Sequence, residues 1–112
     1  GHVSDLAEKS GVRFKIESSV LPFLDGARDY AAEGYLPGGT KRNENFFGAR
    51  ISISSDIPVY VRSLLFTPET SGGLLFAAPA QDTSKILAEC RSMQIFCVEI
   101  GEVVAGSGVE VA

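Results

Sequence analysis

The chain has 112 residues, 45% of them apolar and 21% charged, with a formal net charge of −4. That is one globular domain's worth of protein, able to bury a core without disulfide or metal staples. Net acidity and scattered cations, with Lys41-Arg42 the only adjacent pair, argue against nucleic acid as a partner. No apolar run approaches the ~20 residues that cross a bilayer, so no membrane association is expected. The N-terminus carries neither a basic region nor an apolar signal core, and the simplest expectation is a cytoplasmic protein.

In chain order, Val3, Leu6 and Ala7 at helical spacing and the stop at Ser10-Gly11 predict a helix over 2–9. Val12, Phe14 and Ile16 alternate with Arg13, Lys15 and Glu17, the pattern of a strand with one wet face. Pro22 opens a second predicted helix with an apolar stripe of Phe23, Leu24, Ala27, Tyr30 and Ala31, ended by Gly34 as a left-handed cap. Residues 34–48 show no periodicity and read as a long loop, a feature that in small domains tends to be functional or mobile.

Ile51 and Ile53 alternate with serines in a short strand. A helix is expected from Pro58, with Asp56 as its N-cap and Val61, Leu64 and Leu65 as its buried face. Leu74 to Ala78 is continuously apolar, as in a strand covered on both faces. Asp82 or Thr83 caps a helix through about Met93, with Ile86, Leu87 and Cys90 inward. Residues 96–100 read as the next strand, and Gly101 as a bulge or a change of strand direction. Val103, Val104, Val109 and Val111 finish the sheet around a turn at Gly106-Ser107-Gly108.

The expected fold class is therefore α/β, with helices on a mixed sheet in the order α-β-α-β-α-β-α-β-β and residues 1–112 forming a single domain. Cys90 and Cys97 lie seven positions apart, which is no CxxC spacing, and they read as buried structural thiols. With one histidine and no Cys/His cluster, no metal site is expected.

Two segments stand out chemically. In Leu64 to Phe76, an apolar run stops at Pro68, passes Glu69, Thr70, Ser71, Gly72 and Gly73, and resumes as a second apolar run. Pro68 cannot continue regular structure, and Gly72-Gly73 permit close approaches that a Cβ forbids. Thr70, Ser71, Gly72 and Gly73 can offer amides and hydroxyls to an anion, or can make a tight turn that satisfies only itself. The second segment, Gly34 to Asn43, contains Gly38, Gly39, Thr40, Arg42 and Asn43. Arg42 can pair bidentately with phosphate, and Asn43 can both donate and accept. A solvated loop with ordinary surface charges has the same composition.

Pro37-Gly38-Gly39-Thr40-Lys41-Arg42-Asn43 followed by Pro68-Glu69-Thr70-Ser71-Gly72-Gly73-Leu74-Leu75 resembles the selenophosphate synthetase family (selenide, water dikinase) of the aminoimidazole-ribotide-synthetase superfamily. In that family a Pro-Gly-Gly-Thr-x-Arg-Asn stretch precedes a Pro-Gln/Glu-Thr-Ser-Gly-Gly-Leu-Leu stretch at about this spacing. Gly1-His2 looks like the end of a further family segment. The resemblance covers the whole chain but only the C-terminal domain of the enzyme. Thr67 departs from it, since the family often has Asp there, and Glu69 stands where relatives also carry Gln.

The resemblance implies a wall of the ATP/phosphate cleft in an enzyme that makes selenophosphate, AMP and phosphate from selenide, ATP and water. The cleft candidates are Thr70, Ser71, Gly72, Gly73, Gly38, Gly39, Thr40, Arg42 and Asn43. It further implies an N-terminal ATP-binding domain as partner, a homodimeric whole enzyme, and magnesium and ATP held mostly by that other domain. None is expected to bind this stretch tightly. The family's reactive Cys or selenocysteine, its Lys and its magnesium-binding aspartates lie upstream of the position matching Gly1. No catalytic residue is therefore assigned here, and these residues alone are expected to be inactive. The alternatives are a stand-alone binding domain with the same fold, or the C-terminal domain of another ATP-dependent superfamily member. His2, Asp5, Glu8, Asp25 and Asp29 form no acid/base pair and receive no role.

Overall fold

The computed structural model describes residues 1–112. The first helix, α1 (His2–Ser10), ends where Gly11 turns left-handed at φ 63°. Its inner face is Ala7, Ser4 and Val3, while Leu6 points outward, one step around from its expected place. Four strands form one mixed sheet: β1 (Val12–Ile16), β2 (Ile51–Ile53), β3 (Gly101–Ala105) and β4 (Gly108–Val111). Their order is β2-β4-β1-β3. β4 runs parallel to both β1 and β2, and β3 runs antiparallel to β1.

The register sets the two faces. Phe14 lies opposite Val109, which lies opposite Ile51; Ile16 lies opposite Val111, which lies opposite Ile53. These apolar residues share one face and pack with Ala7 and Val3 of α1, and with Ile57 and Leu65. Arg13, Lys15, Ser52 and Glu110 fall on the other face, as period-two alternation requires. The expected turn at 106–108 carries the chain across the end of β1, from β3 on one side to β4 on the other. Gly106 and Gly108 there have φ 134° and 81°, and the Arg13 side chain donates to the Ser107 carbonyl at 3.1 Å. Gly101 begins β3 opposite Ile16; a Cβ there would overlap the Lys15 carbonyl, so close strand approach explains the glycine.

The remaining helices are α2 (Ala27–Ala32), α3 (Gly39–Phe47), α4 (Val59–Leu64) and α5 (Thr83–Ser92). α2 starts later than Pro22, because Gly26 at φ 78° breaks the run; Leu24 and Tyr30 are exposed. The expected loop at 34–48 is largely helical: α3 winds through residues whose polar composition hides a helix of 9 residues. Pro58, at ψ 144°, is itself the N-cap of α4. Asp56 does not cap; its own N–H donates to Ser54 Oγ at 3.4 Å. Asp82 precedes α5 without a side-chain capping bond.

Two expected strands do not form. Residues 68–78 make no backbone–backbone hydrogen bonds, and neither do residues 96–99. A run of apolar side chains states a preference for burial but supplies no partner strand, and here both segments lie open, with Leu74 97% and Phe96 77% exposed. The helix order is therefore α-β-α-α-β-α-α-β-β, still a mixed α/β sheet protein.

α2 and α5 end alike. Tyr35 N–H donates to the Tyr30 carbonyl at 2.9 Å across Gly34 at φ 90°, and Ile95 N–H donates to the Cys90 carbonyl at 2.8 Å across Gln94 at φ 57°. Both are Schellman caps, which favour glycine at the left-handed position. Gln94→Gly is expected to stabilise the protein by about 0.5–1 kcal/mol, and Gly34→Ala to destabilise it by about 1 kcal/mol. Urea denaturation of both variants beside the parent measures this; opposite signs would refute the assignment of the two caps.

Candidate functional site

The two chemically distinctive segments meet through α3. Pro37 ends extended chain, and its carbonyl accepts the Thr40 N–H at 3.0 Å as α3 begins. The Gly39 and Lys41 amides, also in that first turn, have no backbone acceptor, as is usual at helix starts. Gly39 faces Pro68 so closely that a Cβ on it would lie 2.9 Å from Pro68 Cγ. One turn further, Asn43 Nδ2 donates to the Phe66 carbonyl at 2.9 Å. Phe66 is 2% exposed and anchors the end of α4 in the interior, and Thr67 Oγ1 donates back to the Leu64 carbonyl at 2.8 Å. The Pro-Gly-Gly-Thr helix start is thus clamped to the root of the Thr70–Gly73 segment.

The candidates differ in what they present. Gly38 is exposed and a Cβ there would meet nothing. Thr40 is 6% exposed, and its hydroxyl is buried without a hydrogen-bond partner. Arg42 is exposed on α3. Thr70, Ser71, Gly72 and Gly73 are all exposed, and a Cβ on either glycine would meet no atom within 4 Å. Neither glycine has a positive φ. The isolated domain therefore places no demand of its own for glycine at 72 or 73.

Glu44, which periodicity did not single out, organises the outer side of α3. It accepts from Lys41 at 2.9 Å and pairs with Arg62 of α4 at 3.1 Å. The Lys41 hydrogen bond, ahead of the contribution of Arg62, holds its carboxyl below the ordinary value of 4.5 against the opposing effect of burial. Only the spacing of Lys41 and Glu44 at i,i+3 could have signalled this, and only once 39–47 is read as helix.

No three His, Cys, Asp or Glu side chains gather at one place. A cavity of about 340 Å³ lies elsewhere, beside Arg13, Arg50, Ser52 and Ser107, and none of the candidates lines it. Its arginines already have partners: Arg13 faces Glu110 at 3.7 Å and Arg50 binds Glu8 at 2.7 Å. No helix of the chain is long and apolar enough to cross a membrane.

The geometry defines an α/β domain that displays a glycine-rich helix start beside an open Thr-Ser-Gly-Gly segment. The family described as AIR synthase related protein, C-terminal domain, matches residues 1–112. The chain is 41% identical over 105 residues to a selenide, water dikinase of Bordetella bronchiseptica, covering 94% of this chain and 30% of that protein. It is 37% identical over 105 residues to one of Pasteurella multocida (94% and 29%) and 36% identical over 108 residues to one of Enterobacter sp. (96% and 30%). This chain belongs to the AIR synthase related C-terminal domain family. It spans about 30% of the length of these curated relatives.

Asn43→Ala is expected to cost about 1–2 kcal/mol, since the Phe66 carbonyl loses its partner, and to speed proteolysis within 66–73. Unchanged stability and cleavage rates would show that Asn43 is not the clamp. A group held below its ordinary pKa stabilises the fold above its unfolded value and loses that contribution as pH falls through its folded value. Glu44→Gln should therefore be less stable than the parent by about 0.5 kcal/mol at neutral pH. The gap should narrow as the pH drops below 4.5, as chemical denaturation across pH would show.

Proposed function

We propose that this chain works as the C-terminal domain of a selenide, water dikinase, and that its clamped pair of segments forms one wall of the cleft that holds the phosphate chain. The observation that carries the reading is the pair of glycines at 72 and 73, which the domain itself does not need. A side chain there would obstruct only something approaching from outside. Thr70 and Ser71 bring hydroxyls, the start of α3 brings free amides at Gly39 and Lys41, and Arg42 brings a guanidinium. This set is rich in donors and suits phosphoryl oxygens. It contains no carboxylate and does not fit magnesium, which prefers carboxylate and phosphate oxygens. The metal and the reacting groups would belong to the N-terminal ATP-binding domain of the same cytoplasmic, homodimeric enzyme.

In this arrangement the domain contributes placement and exclusion of water. Neutral donors fixed on a clamped scaffold orient a highly charged chain, and the wall keeps water from a reactive phosphoryl species. The open apolar segments at 74–76 and 95–98 support the reading, since contiguous exposed apolar surface marks an interaction site. They would meet the N-terminal domain.

The test is selenide-dependent AMP formation by the intact protein. Gly73→Val is expected to lower the rate at least about tenfold, because displacing the bound phosphate chain by an ångström is that costly. Ser107→Ala, whose backbone carbonyl still receives Arg13, should leave it unchanged. If the intact protein makes no AMP in response to selenide, the reading fails. If both variants behave as the parent, the Thr-Ser-Gly-Gly segment is structural.

A further inference from the structure

We propose that Asp25-Gly26, in the turn that leads into α2, is a site of spontaneous covalent modification, where the Gly26 nitrogen attacks the Asp25 side chain and the linkage isomerises to isoaspartate through a cyclic imide. Neither residue belongs to the candidate site, so the proposal stands apart from the function proposed above. Of the aspartates in the chain, Asp25 alone precedes glycine; Leu6, Tyr30, Ile57 and Thr83 follow the others, and Asn43 and Asn45 precede Glu44 and Phe46. A side chain on the following residue crowds the nitrogen that must attack, and glycine has none.

The fold leaves the reacting pair free. Asp25 is exposed, and its carboxylate takes part in none of the ion pairs of the chain. Gly26 N–H makes no backbone–backbone hydrogen bond. The amides that follow Asp29 and Asp56 are engaged: Tyr30 N–H donates to the Gly26 carbonyl at 2.9 Å, and Ile57 N–H to the Ser54 carbonyl at 3.3 Å. Asp5 lies inside α1. A single hydrogen bond, from Ala27 N–H to the Leu24 carbonyl at 3.0 Å, brackets Asp25-Gly26. Gly26, at φ 78° and ψ −10°, takes the third place of a type II turn. Phe23 and Leu24 precede it outside any helix or strand. Rotation at Asp25 can therefore bring its carboxyl carbon to the Gly26 nitrogen without unwinding a regular element.

The step needs no oxidant and no second protein. A bond forms between the Gly26 nitrogen and the side-chain carboxyl carbon of Asp25, and the amide proton leaves with the carboxyl hydroxyl as water. Water then adds to one of the two ring carbonyl carbons that flank this nitrogen. Opening at the side-chain carbon restores aspartate. Opening at the main-chain carbon leaves Gly26 attached through the side chain, with a free carboxylate where the peptide carbonyl stood. Composition is unchanged, but the main chain gains the Asp25 methylene. The longer chain breaks the Leu24–Ala27 turn and displaces Gly26, whose carbonyl begins the hydrogen bonding of α2.

The test ages the intact, folded protein at neutral pH and digests it with trypsin. Cleavage after Lys15 and Arg28 gives the peptide Ile16–Arg28, which holds the site. The expected result is a second chromatographic form of this peptide, equal in mass to the first. That form should resist the protease that cuts before aspartate and accept a methyl group from S-adenosylmethionine through protein isoaspartyl methyltransferase. It should be lost in Asp25→Glu, where attack would have to close a larger ring, and the peptides carrying Asp5, Asp29, Asp56 and Asp82 should each stay a single form. One fully cleavable form after ageing, isomerisation seen only when the protein is unfolded in urea, or isomerisation at another aspartate ahead of Asp25 would each overturn the proposal. The mapping is read on the parent protein and so does not depend on the glutamate variant folding.

Discussion

β4 is inserted between β1 and β2, and through Val109 and Val111 it couples the two ends of the molecule. Val109 faces Phe14 on one side and Ile51 on the other; Val111 faces Ile16 and Ile53 in the same way. Each valine is buried, and burial of such a side chain is worth about 1.5–3 kcal/mol. The larger consequence is topological. β1 and β2 do not touch, and only β4, more than a hundred residues downstream of the start of the chain, brings them into one sheet. The ladder is continued beyond the strands by Ser54 N–H to Val111 and Ala112 N–H to Ile16, at 2.9 and 3.0 Å.

That constraint is what positions the candidate site. β2 leads through Pro58 into α4, and α4 delivers Leu65 to the core and Phe66 to the interior. The Phe66 carbonyl is then the fixed point that Asn43 reads, and Pro68 the surface that Gly39 requires. Glu44 ties the same α3 to α4 through Arg62. The two glycine-rich segments are twenty-nine positions apart when counted from Gly39 to Pro68, yet sit together because both are referred to the same short helix.

What could be read from the sequence follows the strength of the local signal. β1 and β4 alternate cleanly against a buried face, and both form where expected. Gly34 and Gly106 stand where a left-handed backbone is required, as glycine suggests. Gln94 adopts the same conformation with no glycine to announce it, since the capping hydrogen bonds of α5 override the side chain's preference. α3 escaped notice because Gly, Thr, Lys, Arg and Asn form no apolar stripe; its helix is held by contacts with Pro68, Phe66 and Arg62 that are distant in sequence. The resemblance located both motifs, but no pattern could tell that Thr40 turns inward while Thr70 and Ser71 stay in water.

The unformed strands follow from the same reasoning. Leu74 to Ala78 and Phe96 to Glu99 fall in stretches expected to be buried strands and lie without a ladder. Their backbone groups are left to water, and their side chains gain nothing from the core that Val109 and Val111 organise. The clamp, by contrast, closes within the domain: Asn43 satisfies the Phe66 carbonyl and Gly39 packs against Pro68, with the Thr40 hydroxyl the one buried polar group left over. The domain thus finishes its own sheet and its own clamp, while the glycines at 72 and 73 and the apolar runs that follow answer no internal requirement. Small residues where nothing in the domain crowds them stand beside apolar residues that nothing in the domain covers, and it is on this surface that the proposed cleft wall rests.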